Sequence, residues 1–181
     1  MGKVYERIDQ RLTDFLTAQP IFFVATAPLS ADGHVNLSPK GLNRVAVIDS
    51  STVAYLDLTG SGVETIAHLR ENGRIVLMFC AFDGPPRIVR LHGRGRFVLR
   101  GDDGFDGLAA HFPASEGARA VVVVDVERVS DSCGHGVPRM RYEEERPQMP
   151  AWVEHKGAEG LADYRSEKNA SSIDGLPGLS G

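Results

Sequence analysis

The sequence predicts a mainly β domain of the α+β class, an antiparallel barrel with flanking helices. Six or seven short apolar segments follow one another at close spacing, each bounded by turn-forming residues. Amphipathic helical stretches are few. Strict strand–helix alternation is absent, which argues against a doubly wound parallel sheet. The 181 residues, 42 % hydrophobic and 24 % charged, suffice for one compact core without disulfide or metal staples.

The elements follow in chain order. VYERIDQRLTDFLTA puts Val4, Ile8, Leu12, Phe15 and Leu16 on one face at helical spacing, so a helix is expected over 4–18, stopped by Pro20. IFFVATA reads as a buried strand, and Asp32-Gly33 in PLSADG suits a tight hairpin turn. HVNLSP, RVAVID and TVAYLD are short strands. GVETIAHLREN is a helix with Ser61 as its expected N-cap, Glu64 completing a capping box and Gly73 ending it. RIVLMFCAF and RIVRLHGRGRFVL are longer strands joined through DGPP, and GDDGFDGLAAHF reads as a short helix. ARAVVVVDVERVS is apolar without alternation at its start, as for a strand buried on both faces. Near residue 132 the composition turns to Gly, Pro and charge. The chain is therefore divided into a domain over 1–132 and an extension over 133–181, with a polar helix in AWVEHKGAEGLADYRSEKN and a loose tail in SSIDGLPGLSG.

Composition also excludes function classes. A net charge of −4 argues against a general nucleic-acid binder. No apolar run approaches the roughly 20 residues of a membrane span, and the opening lacks a signal-peptide pattern. Cys80 and Cys133 form no CxxC, so a reduced, cytoplasmic setting is expected. The six histidines are scattered and Cys133-Gly134-His135 has no third ligand, so no metal site is expected.

Three polar features point towards an anion. Along RIVRLHGRGR, period-two alternation sends Arg90, His92, Arg94 and Arg96 to one face; this is an anion-favouring stripe or, equally, a solvated sheet face. Gly93 and Gly95 mark a bulge or a close approach. LTGSGVET leads small residues into a helix N-terminus, where amides and the dipole favour an anion, although Glu64 opposes one. In NLSPKG an extended backbone puts Asn36, Ser38 and Lys40 on one face, and Pro39 marks an edge. No nucleophile motif is present, so any reactivity would belong to a cofactor.

The succession of FFVAT, HVNLSPKG, TVAYLDLTGSG, LRENGRI, RIVLMF and RIVRLHGRGR, over roughly residues 5–130, resembles the pyridoxamine 5'-phosphate oxidase-related flavoproteins. The resemblance implies an FMN-binding split β-barrel that forms a homodimer with the flavin at the subunit interface. By position it makes Val35, Asn36, Leu37, Ser38, Lys40, Tyr55 and Leu56 flavin contacts. It sets Ser61 and Thr65 near the phosphate and brings Arg90 from the partner or from nearby. The sequence departs from that family at two places. Ser61-Gly62-Val63-Glu64-Thr65 stands where vitamin B6 oxidases carry a Ser-Arg-Lys-type cluster, and their C-terminal Arg-x-His element is missing. Both departures argue against vitamin B6 oxidation. The expected function is an FMN-dependent oxidoreductase acting on a small-molecule substrate. The alternatives are a deazaflavin coenzyme in place of FMN, a non-catalytic binder of a flavin, deazaflavin or haem, and a structural dimer module with a decayed pocket.

Overall fold

A computed structural model describes residues 2–179. Its strands are β1 (Val4–Tyr5), β2 (Phe22–Thr26), β3 (Asn36–Lys40), β4 (Ala46–Val47), β5 (Thr52–Leu58), β6 (Arg74–Cys80), β7 (Ile88–Leu99) and β8 (Ala118–Ser132). The helices are α1 (Gln10–Ala18), α2 (Glu64–Glu71), α3 (Phe105–Ala109) and α4 (Gln148–Lys168). All strands join one antiparallel sheet in the order β3-β2-β6-β7-β8-β5-β4, with β1 added to β8. β3 and β4 do not pair with each other, so the barrel is split, as expected.

The barrel interior follows from alternation. Phe22, Tyr55 and Phe79 are buried together, with Phe22 stacked on Phe79 at 5.2 Å and edge-on to Tyr55 at 5.5 Å. The apolar run of β8 is explained by two covers. Val122 and Val124 face the barrel interior, whereas Val121 and Val123 pack outward with Leu56 and Phe105 of α3. Pro39 lies in edge strand β3, where the lack of an N–H is tolerated.

Several expectations are corrected. Val4 belongs to β1 and is exposed; the first helix starts at Gln10 because the Asp9 carboxylate accepts from the Leu12 N–H at 2.8 Å and caps it. Ser61 does not cap α2. Val63 stands at the cap position without a side-chain bond, and Glu64 accepts from the Ile173 N–H at 3.3 Å instead of closing a capping box. The β2–β3 connection is a loop rather than a tight two-residue turn. The glycine expectation holds. The β7–β8 register shifts between His92 and Gly93, a side chain on Gly93 would run into the Asp125 carbonyl, and one on Gly95 would lie 2.7 Å from Leu69.

The C-terminal stretch read as loose is pinned. Asn169 and Ala170 carbonyls accept from the Leu179 and Gly178 amides at 2.8 Å, Arg70 donates to the Gly178 carbonyl at 2.9 Å, and Asp174 accepts from the His34 amide and ring. Ser180 and Gly181 lie outside the described residues. Helix α4 breaks at Gly157 (φ 62°, ψ 179°), a backbone conformation essentially confined to glycine. No helix among the described residues is long and apolar enough to cross a membrane.

Candidate functional site

The two polar segments on either side of β4 and β5 meet in space. Asn36 opposes Thr26, Ser38 opposes Val24 and Lys40 opposes Phe22, so the polar side chains of β3 share the face of β2 that looks into the barrel. At one end of that face, Asn36 Nδ2 donates to Thr65 Oγ1 at 3.0 Å and Thr26 Oγ1 at 3.2 Å, while Ser38 donates to Asn36 Oδ1 at 2.9 Å. Behind them, His68 Nδ1 is 2.9 Å from Thr26 Oγ1. The His68 ring is buried with Nε2 unpartnered among the described residues, and burial pushes its pKa down against the pull of Asp174, Glu64 and Glu71.

At the other end, Lys40 Nζ donates to Asp57 Oδ1 at 3.0 Å and Arg119 Nε donates to Asp57 Oδ2 at 2.8 Å. Asp57 is fully buried and Arg119 nearly so. Burial alone would raise the Asp57 pKa; the two cations and their hydrogen bonds prevail and hold it below its ordinary value. Arg119 also donates to the Gly60 and Gly62 carbonyls, at 3.4 and 2.7 Å, fixing the elbow that leads into α2. Tyr55 lies beneath Lys40, 5.8 Å from ring centroid to Nζ, with its hydroxyl unpartnered among the described residues. Burial, with Asp57 adding to it, pushes the Tyr55 pKa well up, so the phenol stays protonated. Two cations against one carboxylate leave this end with an excess positive charge.

That end opens on a cavity of about 980 Å³ lined by Lys40, Leu56, Leu58, Thr59, Gly60 and Trp152 among others. Lys40 is the charged side chain that reaches it from the Asp57 cluster. Its size is that of a small-molecule or cofactor site.

The sequence-derived residues divide into three groups. Asn36, Ser38, Lys40 and Thr65 join the inward network, Tyr55 lies buried beneath Lys40, and Leu56 lines the cavity. Val35 and Leu37 are 73 % and 64 % exposed at the open edge, and Ser61 is exposed on the elbow. Arg90 lies three strands from β3; the register Arg90–Met78–Phe23–Pro39 puts it on the outer face, where it donates to Ser132 Oγ. Within one chain it does not approach Lys40. Arg94 and Arg96 of its stripe stand on a solvated face, paired to Glu127 and Asp125, whereas His92 is half-buried with Nδ1 unpartnered among the described residues.

Sequence reasoning missed Asp57, Arg119 and His68. The first two had a signal: a carboxylate in TVAYLDL and a guanidinium in ARAVVVV each interrupt a buried apolar strand, and buried charges of opposite sign require each other. His68 had a weaker one, standing three residues after Thr65 on the same helical face.

The sequence model of the family described as pyridoxamine 5'-phosphate oxidase matches residues 8–133. The chain is 41 % identical over 192 aligned residues to the pyridoxamine 5'-phosphate oxidase family protein ustO of Aspergillus flavus, covering 97 % of this chain and 77 % of that one. HupZ of Group A Streptococcus superposes with a TM-score of 0.55 at 22 % identity, over 74 % of this chain and 99 % of that one. A Clostridium acetobutylicum protein related to general stress protein 26 superposes with a TM-score of 0.52 at 11 % identity, over 74 % of this chain and 92 % of that one. At such identities the two structures speak for the fold alone; the family rests on the match over 8–133 and on the 41 % identical relative. The chain belongs to the pyridoxamine 5'-phosphate oxidase family.

Proposed function

We propose that this chain is an FMN-binding oxidoreductase that works as a homodimer on a small-molecule substrate. The observation that carries the reading is one cavity lined by both the Lys40 end of β3 and the Thr59-Gly60 elbow before α2, with Lys40 held there by the buried Asp57–Arg119 cluster. The family supplies the cofactor class. An anionic, phosphorylated group would be held at the Lys40 side of the cavity, where Lys40 backed by Arg119 stands in for the basic side chains missing from the start of α2. It would sit away from Glu144 and Glu145, which also line the cavity with Arg146. Lys40 would hold the cofactor's charge, with Thr59 and Gly60 beside it and Leu56 and Trp152 against its apolar surface. When bound, the flavin supplies two-electron redox chemistry. The chain's own part is to orient it, to hold the Lys40 ammonium in place through Asp57, and to exclude water with Leu56, Leu58 and Trp152.

FMN is favoured over a deazaflavin because Arg94 and Arg96 are already paired with Glu127 and Asp125, leaving less free charge along the stripe for a long acidic tail. Homodimerisation is favoured by the edge strand β3, where exposed Leu37 and the preceding Val35 invite cover by a second copy.

The test is an absorbance spectrum of the purified chain, as isolated and after FMN is added and the excess removed. Retained flavin bands are expected, with affinity falling about tenfold or more in Lys40→Ala, the usual loss for a hydrogen bond to a charged group. A colourless chain that does not keep FMN refutes the reading. Flavin that binds but resists every reductant and acceptor refutes the oxidoreductase part alone.

A further inference from the structure

A second cavity, of about 820 Å³, lies between α4 and the loop over 113–117. Leu58 and Met149 line both this cavity and the one that Lys40 reaches. Its body is apolar, with Leu58, Pro113, Met149, Val153 and Leu161 on its walls. The kink at Gly157 also lines it, before α4 continues to Leu161, which is buried, and to Arg165.

Two guanidiniums stand together at one end. Arg100 donates from Nε to the Ala118 carbonyl at 2.7 Å and from Nη2 to the Ser115 carbonyl at 2.6 Å. Arg165 donates from Nε to Thr59 Oγ1 at 2.9 Å, and from Nη2 to the Glu116 carbonyl and the same Ala118 carbonyl at 3.4 Å. Neither guanidinium joins an ion pair among the described residues, although Glu116 and Glu154 also line the cavity. Each keeps its Nη1 amino group without a protein acceptor among the described residues.

Two like charges sharing one carbonyl beside an apolar hollow are an unusual choice for packing alone. A tether from α4 to the barrel needs one hydrogen bond and no second cation. Burial, followed by the proximity of Arg100 and Arg119, pushes the Arg165 pKa below its ordinary value, with Glu116 only partly offsetting them. Glu116 and Glu154 line the cavity without an ion pair to either guanidinium among the described residues, so both cations keep donors free, and guanidinium groups match carboxylate and sulfonate oxygens geometrically.

We propose that this cavity binds an apolar organic anion, its carboxylate or sulfonate on Arg100 and Arg165 and its hydrocarbon body against Leu58, Met149, Val153 and Leu161. The proposal stands apart from the flavin reading, since binding here needs no cofactor.

The test is a fluorescence titration of the full chain with 1-anilinonaphthalene-8-sulfonate, an aromatic anion of this class, beside the uncharged N-phenyl-1-naphthylamine. Saturable binding of one sulfonate per chain is expected. Arg165→Gln and Arg100→Gln each weaken it about tenfold or more, the uncharged analogue shows no such loss, and Ala158→Trp blocks both probes by filling the cavity. Excess FMN leaves the sulfonate bound. The proposal is overturned if the wild type shows no saturable binding, if both arginine variants bind the sulfonate as the wild type does, or if FMN displaces it. Arg100 is exposed, so its variant carries the test should Arg165→Gln fail to fold.

Discussion

Replacing Asp57 with Asn changes one atom type and no shape, yet it removes the carboxylate that pairs with both Lys40 and Arg119. Both cations stay in place: the Arg119 side chain is 5 % exposed and that of Lys40 20 %. Removing one partner of a buried ion pair costs about 3–5 kcal/mol, because the remaining charge is stranded. The lower end applies here, since the Asn oxygen still accepts one hydrogen bond and Arg119 keeps the Gly60 and Gly62 carbonyls. With a urea m-value of about 2 kcal/mol/M, a loss of about 3 kcal/mol lowers the unfolding midpoint by about 1.5 M. Asp125→Asn, which breaks the exposed pair with Arg96, leaves the midpoint nearly unchanged. Adding Arg119→Met to Asp57→Asn recovers part of the loss, because a stranded charge disappears. The pH dependence has a fixed sign. A depressed carboxyl contributes stability that is complete above its unfolded pKa of about 3.9 and is lost as pH falls through the lower folded value. The gap between wild type and Asp57→Asn is therefore flat from about pH 8 to 5 and closes below about pH 4. If Asp57→Asn and Asp125→Asn lose similar small amounts, the buried cluster is not the electrostatic centre described above.

His68 yields the opposite titration. Its folded pKa is lowered, so below about pH 6.5 the unfolded chain binds more protons and stability falls with pH. Between about pH 7.5 and 5.5 the wild-type urea midpoint drops further than that of His68→Gln, and parallel curves would show that burial does not hold this ring neutral. Gly157→Ala costs about 1–3 kcal/mol through backbone strain alone, as nothing lies within 4 Å of the position, and a melting temperature equal to the wild type's would contradict the kink. Asp174→Ala removes the acceptor of both His34 hydrogen bonds, so limited proteolysis within 170–179 accelerates; unchanged cleavage means the other backbone bonds suffice to pin the segment.

Much of the barrel was legible in the sequence because strands carry their own period. Alternation alone determined that Asn36, Ser38 and Lys40 share a face, and the pair Gly93 and Gly95 marked where β7 bulges against β8 and packs under Leu69. The unbroken apolar run of β8 foretold a strand covered on both sides. Alternation says which residues of one strand point together, however, and not what lies across from them. Only the sheet order puts Arg90 on the outer face, three strands from Lys40, and only the fold brings Arg119 of β8 to Asp57 of β5. Local rules failed at the start of α2 for the same reason. Glu64 fits a capping box by spacing, but the docked C-terminal segment offers it the Ile173 amide instead. The second cavity was invisible in the sequence, because Arg100 and Arg165 are 65 positions apart and meet only where α4 folds back over the Ala118 carbonyl. Local chemistry is written in neighbouring residues, whereas a buried charge or a guanidinium pair is defined by what long-range packing brings against it.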